Sequence, residues 1–409
     1  MAEGISGAGL LRSFLAGFVF TLPAARASET VGLLPDPGTS GELPGVKRFR
    51  YGEKGLEFEA TDSSTFLWLG FRLQGRYDTL PGNPTDAADL LEPDTDEWSL
   101  NRGRIKGGGH LFTEAFEIYS EYDFTSNGWL DYRATVHLGD QLGIRFGQWK
   151  SEFNRERIDS SGAQQFVDRS LSNYWFTLDR QLGVAAELRL WAEQVADSSL
   201  WLEFLSGRGL GATFGDDSRL WMMRWQWNPQ GEVLDFGQAD LDRRDDLITA
   251  VTLATVFGDS HYTRFSSSGG GQLPGFGYGD YRLNQWMLET AARWRGFSWQ
   301  QELHWKDVED LRAGGHREMV GGYAQVGVFP AECWNGFPDP LELTARIASV
   351  DPDTSRSSDR QWEWTLGANW YFQGHRNKIS ADLSLLDFDD PATGEESELR
   401  FRLQWDLSF

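Results

Sequence analysis

From Phe66 to Phe409 the chain runs through one segment after another in which apolar and polar residues alternate. In FLWLGFRLQGRYD, Phe66 to Asp78, Leu67, Leu69, Phe71, Leu73 and Tyr77 share one face, and Arg72, Gln74 and Arg76 share the other. Only an extended strand has this period of two, because successive side chains point to opposite faces. The pattern predicts sixteen strands: 66–78, 98–112, 115–124, 129–138, 142–149, 181–191, 199–206, 219–228, 247–257, 281–295, 297–307, 320–329, 341–351, 361–372, 378–387 and 398–409. Most have about ten residues, the length with which a tilted strand crosses a bilayer.

Sixteen strands exceed what an open sheet usually holds. A closed barrel has no edge and satisfies every backbone group, as a span through lipid requires. The expectation is an all-β fold, a transmembrane antiparallel β-barrel of about 16 strands. Short connections (113–114, 139–141, 296, 373–377) alternate with mostly longer ones (79–97, 150–180, 207–218, 258–280, 308–319, 352–360, 388–397), the layout of bacterial outer-membrane barrels. Trp129, Trp191, Trp221, Trp227, Trp294, Trp362, Trp370 and Tyr371 lie near strand ends, where interfacial aromatic girdles belong. The last strand, ELRFRLQWDLSF, ends on Phe409 within its apolar face, as a strand that closes a barrel would.

Composition removes the competitors. No stretch beyond the first thirty residues offers about 20 consecutive apolar residues, which excludes a helical membrane bundle. A formal charge of −23 argues against nucleic acid as a partner. The single cysteine, Cys333, has no disulfide partner, and six scattered histidines suggest no metal site. No cofactor is expected.

Residues 1–27 read as a secretory signal peptide: the apolar core LLRSFLAGFVFTL, Leu10 to Leu22, is followed by Ala25-Arg26-Ala27, a small-x-small cleavage site. Residues 28–65 read as a periplasmic lead-in with a short strand around Leu56 to Ala60, and residues 66–409 as the barrel. Export and strand pattern together point to the outer membrane of a diderm bacterium, with lipid as the barrel's surroundings.

If apolar side chains face lipid, alternate positions face the lumen, and there bases and acids nearly balance. The surplus acidity therefore lies in the loops and turns, and the lumen reads as neutral to mildly basic. One reading of the wall charges is a paired set that keeps the channel wet. A sharper feature is the ladder Arg102, Arg104 and Lys106, with no acid between them on that face; such ladders favour anions in pores. Arg72, Arg76 and Arg145 add to the candidate lining.

Lys150 to Arg180 is too long for a plain turn. Five bases (Lys150, Arg155, Arg157, Arg169, Arg180) meet five acids (Glu152, Glu156, Asp159, Asp168, Asp179), with Phe153, Phe166, Leu171 and Tyr174 as apolar anchors. Loops of this length in compact proteins are usually functional. As the third long connection, it is expected to fold into the lumen.

The residues Trp98 to Asp123, Gly147-Gln148-Trp149-Lys150, Phe153, Arg155-Glu156-Arg157 and Gln165 to Leu171, with Trp299 to Lys306 and Gly322-Tyr323-Ala324-Gln325, resemble the phosphate-selective porin O/P family. The likeness runs through nearly all of the chain after residue 27. It implies a sixteen-stranded homotrimeric outer-membrane channel with an infolded third extracellular loop, passing small anions such as phosphate. Arg102 and Arg104 match the basic start of the family's second strand, and Arg155, Arg157 and Arg169 match its third-loop pattern. One departure is the Gly/Ser-rich loop 258–280, whose basic residue is Arg264. Two other functions compete: an outer-membrane enzyme, for which G-x-S-x-G is absent, and a non-conducting envelope scaffold.

Overall fold

The computed structural model describes residues 46–82, 84–90, 96–211, 213–215, 217–390 and 394–409. The signal peptide expected over 1–27 and most of the lead-in lie outside the described residues.

The strands are β1 (Val46–Gly52), β2 (Gly55–Ala60), β3 (Phe66–Asp78), β4 (Glu97–His110), β5 (Phe116–Asp123), β6 (Gly128–His137), β7 (Leu142–Lys150), β8 (Arg180–Leu190), β9 (Ser198–Leu205), β10 (Arg219–Trp227), β11 (Ile248–Ser260), β12 (Arg264–Ser266), β13 (Gly269–Gly271), β14 (Tyr281–Trp294), β15 (Phe297–Asp310), β16 (His316–Val328), β17 (Leu341–Asp351), β18 (Gln361–Gln373), β19 (Asn377–Asp390) and β20 (Gly394–Ser408). Among the described residues, β3–β11 and β14–β20 form a closed sixteen-stranded antiparallel barrel. Each of the sixteen expected strands is present, with ends moved by a few residues.

Closure joins β20 to β3, from Arg402 opposite Asp78 to Ser408 opposite Arg72. The terminal residue takes part: the Phe409 N–H donates to the Phe71 carbonyl at 2.9 Å, and their rings stack with centroids 6.0 Å apart. Beyond the end of β20, the first residues of β3 pair instead with β2, Leu56 opposite Leu69 and Glu59 opposite Phe66. The strand expected around Leu56 to Ala60 is thus β2, and the weakly patterned residues before it supply its partner β1.

Burial is inverted relative to a water-soluble sheet. On β3, Leu69, Phe71 and Leu73 are exposed, while Arg72, Gln74 and Arg76 are buried. Trp129, Trp191, Trp221, Trp294 and Trp370 also face outward. Outward apolar residues suit hydrocarbon and inward polar residues suit a lumen. Some turns at the rim opposite the long loops are tight. Arg295 and Gly296 both have positive φ (46° and 76°), the two-residue turn whose twist matches the flanking strands.

Candidate channel constriction

Between β7 and β8 the chain leaves the wall and enters the barrel. It forms two short helices, Arg155–Ile158 and Leu171–Phe176, and most residues from Ser151 to Asp179 are buried and none is exposed. Non-repetitive backbone in an enclosed space must find partners for its N–H groups. Here wall carboxylates accept them. Glu152 N–H donates to Glu203 on β9 (3.0 Å), Glu156 N–H to Glu302 on β15 (2.8 Å), Val167 N–H to Asp382 on β19 (2.8 Å) and Leu171 N–H to Glu363 on β18 (2.7 Å). The wall thus grips the segment from both sides of the lumen. The segment also braces itself: Lys150 Nζ and Arg169 Nη2 both donate to the Asp159 carbonyl, at 3.0 and 2.9 Å.

Apolar contacts anchor one flank. Phe153, Trp175, Phe176 and Leu178 join a buried cluster with Trp201, Met222, Val256, Leu283, Val308, Met319 and Val350 of the wall. Phe265 and Leu273, from the connection 261–280, complete it. That Gly/Ser-rich loop therefore also enters the interior, as does part of the first long connection, whose Leu80, Ala87 and Leu90 pack on Leu386 and Phe388. The sequence pattern drew attention to the third long connection alone.

The basic residues singled out in the sequence lie mostly on the other flank, and most are paired. Arg72 donates to Asp406 (2.6 Å) and to Ser161 of the infolded segment (2.8 Å). Arg76 reaches Asp168 (2.9 Å) and the Val167 carbonyl (2.8 Å). Arg104 joins Glu121 and Asp123, each at 2.7 Å, and Lys106 lies 3.9 Å from Glu121. The ladder has no acid between its members on its own strand, but β5, paired in register with Arg104 opposite Asp123 and Lys106 opposite Glu121, supplies two. Arg145 bonds Glu152, Arg157 bonds Asp179, and Arg155 bonds Glu289 at 2.8 Å. Three of the set meet only neutral acceptors among the described residues: Arg102 donates to the Gln74 side-chain oxygen, and Lys150 and Arg169 to backbone carbonyls.

The field in the segment is uneven. Burial, with repulsion from Arg157, lowers the Arg169 guanidinium to about 10. Burial raises the Glu156 carboxyl to about 7 against the pull of Arg346, with Glu302 adding to the rise. Asp159 is likewise raised to about 6 by burial, opposed by Lys150 and Arg169. Burial would also raise Glu152, but Arg145, the Glu203 hydrogen bond and Arg133 together outweigh it and bring that carboxyl to about 2.

Away from the constriction, Asp307, His316 and Glu318 bring potential metal-ligand atoms within 4.8 Å of one another on the β15–β16 hairpin. Basic groups absent from the sequence shortlist also face the interior. Lys306 donates to the Trp175 carbonyl (3.1 Å), Lys378 donates to the Gln164 carbonyl, and Arg264, Arg400 and Arg402 line a cleft beside Asp168. The inward phase of Lys306, Lys378, Arg400 and Arg402 was legible; that of Arg264, in a loop, and the meeting of these groups with the infolded segment were not.

A sixteen-stranded closed barrel, apolar outside, charged inside and narrowed by an infolded segment, is the architecture of an outer-membrane porin. A profile of the family described as phosphate-selective porin O and P matches residues 83–406, and the chain belongs to that family. Its place is the bacterial outer membrane. No curated protein matches the sequence. Among solved structures, the outer-membrane channel DcaP of Acinetobacter baumannii is similar at 11% identity and TM-score 0.57, over 86% of this chain and 99% of that one. The trimer form of OmpT of Vibrio cholerae gives 8% identity and TM-score 0.56, over 85% and 100%. An anion-selective porin from Comamonas acidovorans gives 12% and 0.52, over 84% and 100%. At these identities the likeness is one of fold.

Proposed function

We propose that this porin passes small hydrophilic anions, phosphate or similar, along the flank where the infolded segment meets β18–β20 and β3–β6. One observation carries the reading. On that flank Glu121, Asp123, Asp131, Asp168, Asp382 and Asp406 each have an arginine partner within 2.9 Å. Arg102, Lys150 and Arg169 have no such carboxylate partner among the described residues. These six acids are neutralised, while Arg102, Lys150 and Arg169 keep positive charge without a carboxylate partner, the sign that favours anions in a pore. Arg72, Arg76, Arg145, Arg155 and Arg157 hold the segment, Arg104 and Lys106 pair with β5, and all contribute to the same field.

The working unit is proposed to be a homotrimer; the trimeric form of the Vibrio cholerae neighbour supports this. Cross-linking followed by mass measurement in mild detergent tests it. The apolar cluster inside the barrel favours one other reading, a plugged barrel acting as an envelope scaffold. Single-channel recording in a planar bilayer under a salt gradient separates the two. A reversal potential of anion-selective sign, with block by added phosphate, is expected. Cation preference would overturn the anion reading, and absence of conductance would favour the scaffold.

A further inference from the structure

The infolded segment leaves a cleft of about 70 Å³ against β18–β20 that the pairing scheme above does not use. Four arginines line it: Arg169 of the segment, Arg264 of β12, and Arg400 and Arg402 of β20. The two on β20 differ. Arg402 is held by both oxygens of Asp382, at 2.8 and 2.9 Å. Arg400 is 5% exposed, yet it has no hydrogen-bond or ion-pair partner among the described residues, and its Nε is buried and unsatisfied. Arg264 lies 3.9 Å over the Tyr174 ring, and its Nε is also buried without an acceptor. A guanidinium carries five N–H donors that match a carboxylate fork, and leaving one buried and unpaired is costly. Two such groups beside one cleft are a recess built for an acceptor that the chain does not supply.

The opposite lining selects the kind of anion. Leu171, Tyr174, Leu386 and Phe388 face the same space, with Asp168 and Glu363 at its border. A strongly hydrated multivalent anion would lose water against the apolar residues and meet repulsion from the two carboxylates. A monoanionic carboxylate with a short apolar tail meets neither penalty to the same degree. We propose that this cleft is a binding subsite for small organic monocarboxylates, with the headgroup on Arg264 and Arg400 and the tail along Leu171 and Tyr174. The subsite would lie on the route of the proposed anion passage and rests on that reading for its role in transport, although binding is measurable without it.

The test is calorimetric titration of the purified full chain in detergent with hexanoate, acetate and inorganic phosphate separately. Hexanoate carries four methylenes more than acetate, each worth about fourfold when buried, so seating only two of them in the cleft should make hexanoate bind at least about tenfold more tightly than acetate, and it should also bind more tightly than phosphate. Arg400→Gln should weaken hexanoate at least tenfold. Arg264→Gln, in a connecting loop, provides a second variant if the first fails to assemble. Phosphate binding as tight as hexanoate and weakened equally by Arg400→Gln, hexanoate binding unchanged in the variants, or no hexanoate binding would each overturn the proposal. Loss of conductance in bilayers with hexanoate binding intact would sink the porin reading and leave the subsite standing.

Discussion

The two flanks of the barrel interior hold the same infolded segment by different means. On one, Trp175 and Phe176 sit in an apolar cluster with Phe265, Leu273, Val308 and Met319. On the other, Arg76 grips Asp168, Asp382 accepts the Val167 N–H, and Arg346 donates to the Asp168 carbonyl at 3.0 Å. The apolar grip is non-directional and strong in proportion to area. The polar grip is directional and leaves charge facing whatever passes. The difference shows how one loop can be both fixed and functional: hydrophobic burial fixes it on one side, so not all the charges on the other are consumed in fixing it, and Arg102, Lys150 and Arg169 keep no carboxylate partner among the described residues.

Substitution at the apolar anchor should therefore cost most. Trp175→Ala removes a ring that is 2% exposed and should lower unfolding stability by about 3–5 kcal/mol. Arg76→Gln removes bonds to Asp168 and Val167 and should cost about 1–3 kcal/mol. It should also shift the reversal potential toward cations, which Trp175→Ala should not. Denaturant midpoints and bilayer recordings of the two variants check this, and equal stability losses would break the contrast.

Titration sharpens it. Glu156 binds its proton more tightly in the folded protein, with a pKa of about 7 against an ordinary 4.5. Its contribution to stability is therefore full below about pH 4.5 and is lost as pH rises through about 7. The denaturant midpoint should fall across that window in the parent protein. It should fall less in Glu156→Gln, which carries no proton to lose; identical slopes would refute the assignment.

A smaller effect is expected at the long-loop rim. His261 has Asp217 and Asp280 at 2.7 Å from its two ring nitrogens, with the Gly279 carbonyl at 3.1 Å and Tyr278 stacked on the ring. Arg208 binds Asp217 and Arg312 binds Asp280 from the outer sides. Both nitrogens must donate to satisfy two carboxylates, so the arrangement needs the imidazolium. The Asp217 hydrogen bond leads in raising the His261 pKa. The latch should hold at acidic pH and weaken as pH rises through that raised value. Limited proteolysis of 206–218 and 261–280 should accelerate with pH, and His261→Gln should remove the dependence. The smallest change is expected on the outer face. Arg282, about half exposed and paired with Asp259 and Glu309, should cost less than about 1 kcal/mol when replaced by alanine. A larger loss in a denaturant titration would show that outer-face pairs matter as much as the inner ones.

Much of this architecture was legible in the order of residues. A period of two puts Arg72, Arg104 and Arg402 inside whatever the register, and strands 66–78 and 341–351 begin and end where the alternation does. The partners were not legible. Arg104 meets Asp123 because β4 and β5 align so, and a shift of the pairing would give it another neighbour. Loop 261–280 looked like a polar connection because Phe265 and Leu273 lie among Gly and Ser, and isolated apolar residues carry no period. Arg400 and Arg402 are indistinguishable as a sequence pair, and only the nearby Asp382 separates a satisfied guanidinium from a free one.

The sequence by itself determined that the chain is a closed barrel with an apolar outside and a charged inside. Alternation is a local property, and sixteen local repetitions of it leave one way to avoid an edge in lipid. Only the tertiary structure decided which charges cancel and which remain. Pairing depends on distances of a few ångströms between residues hundreds of positions apart, set by register and by how the infolded segment lies across the lumen.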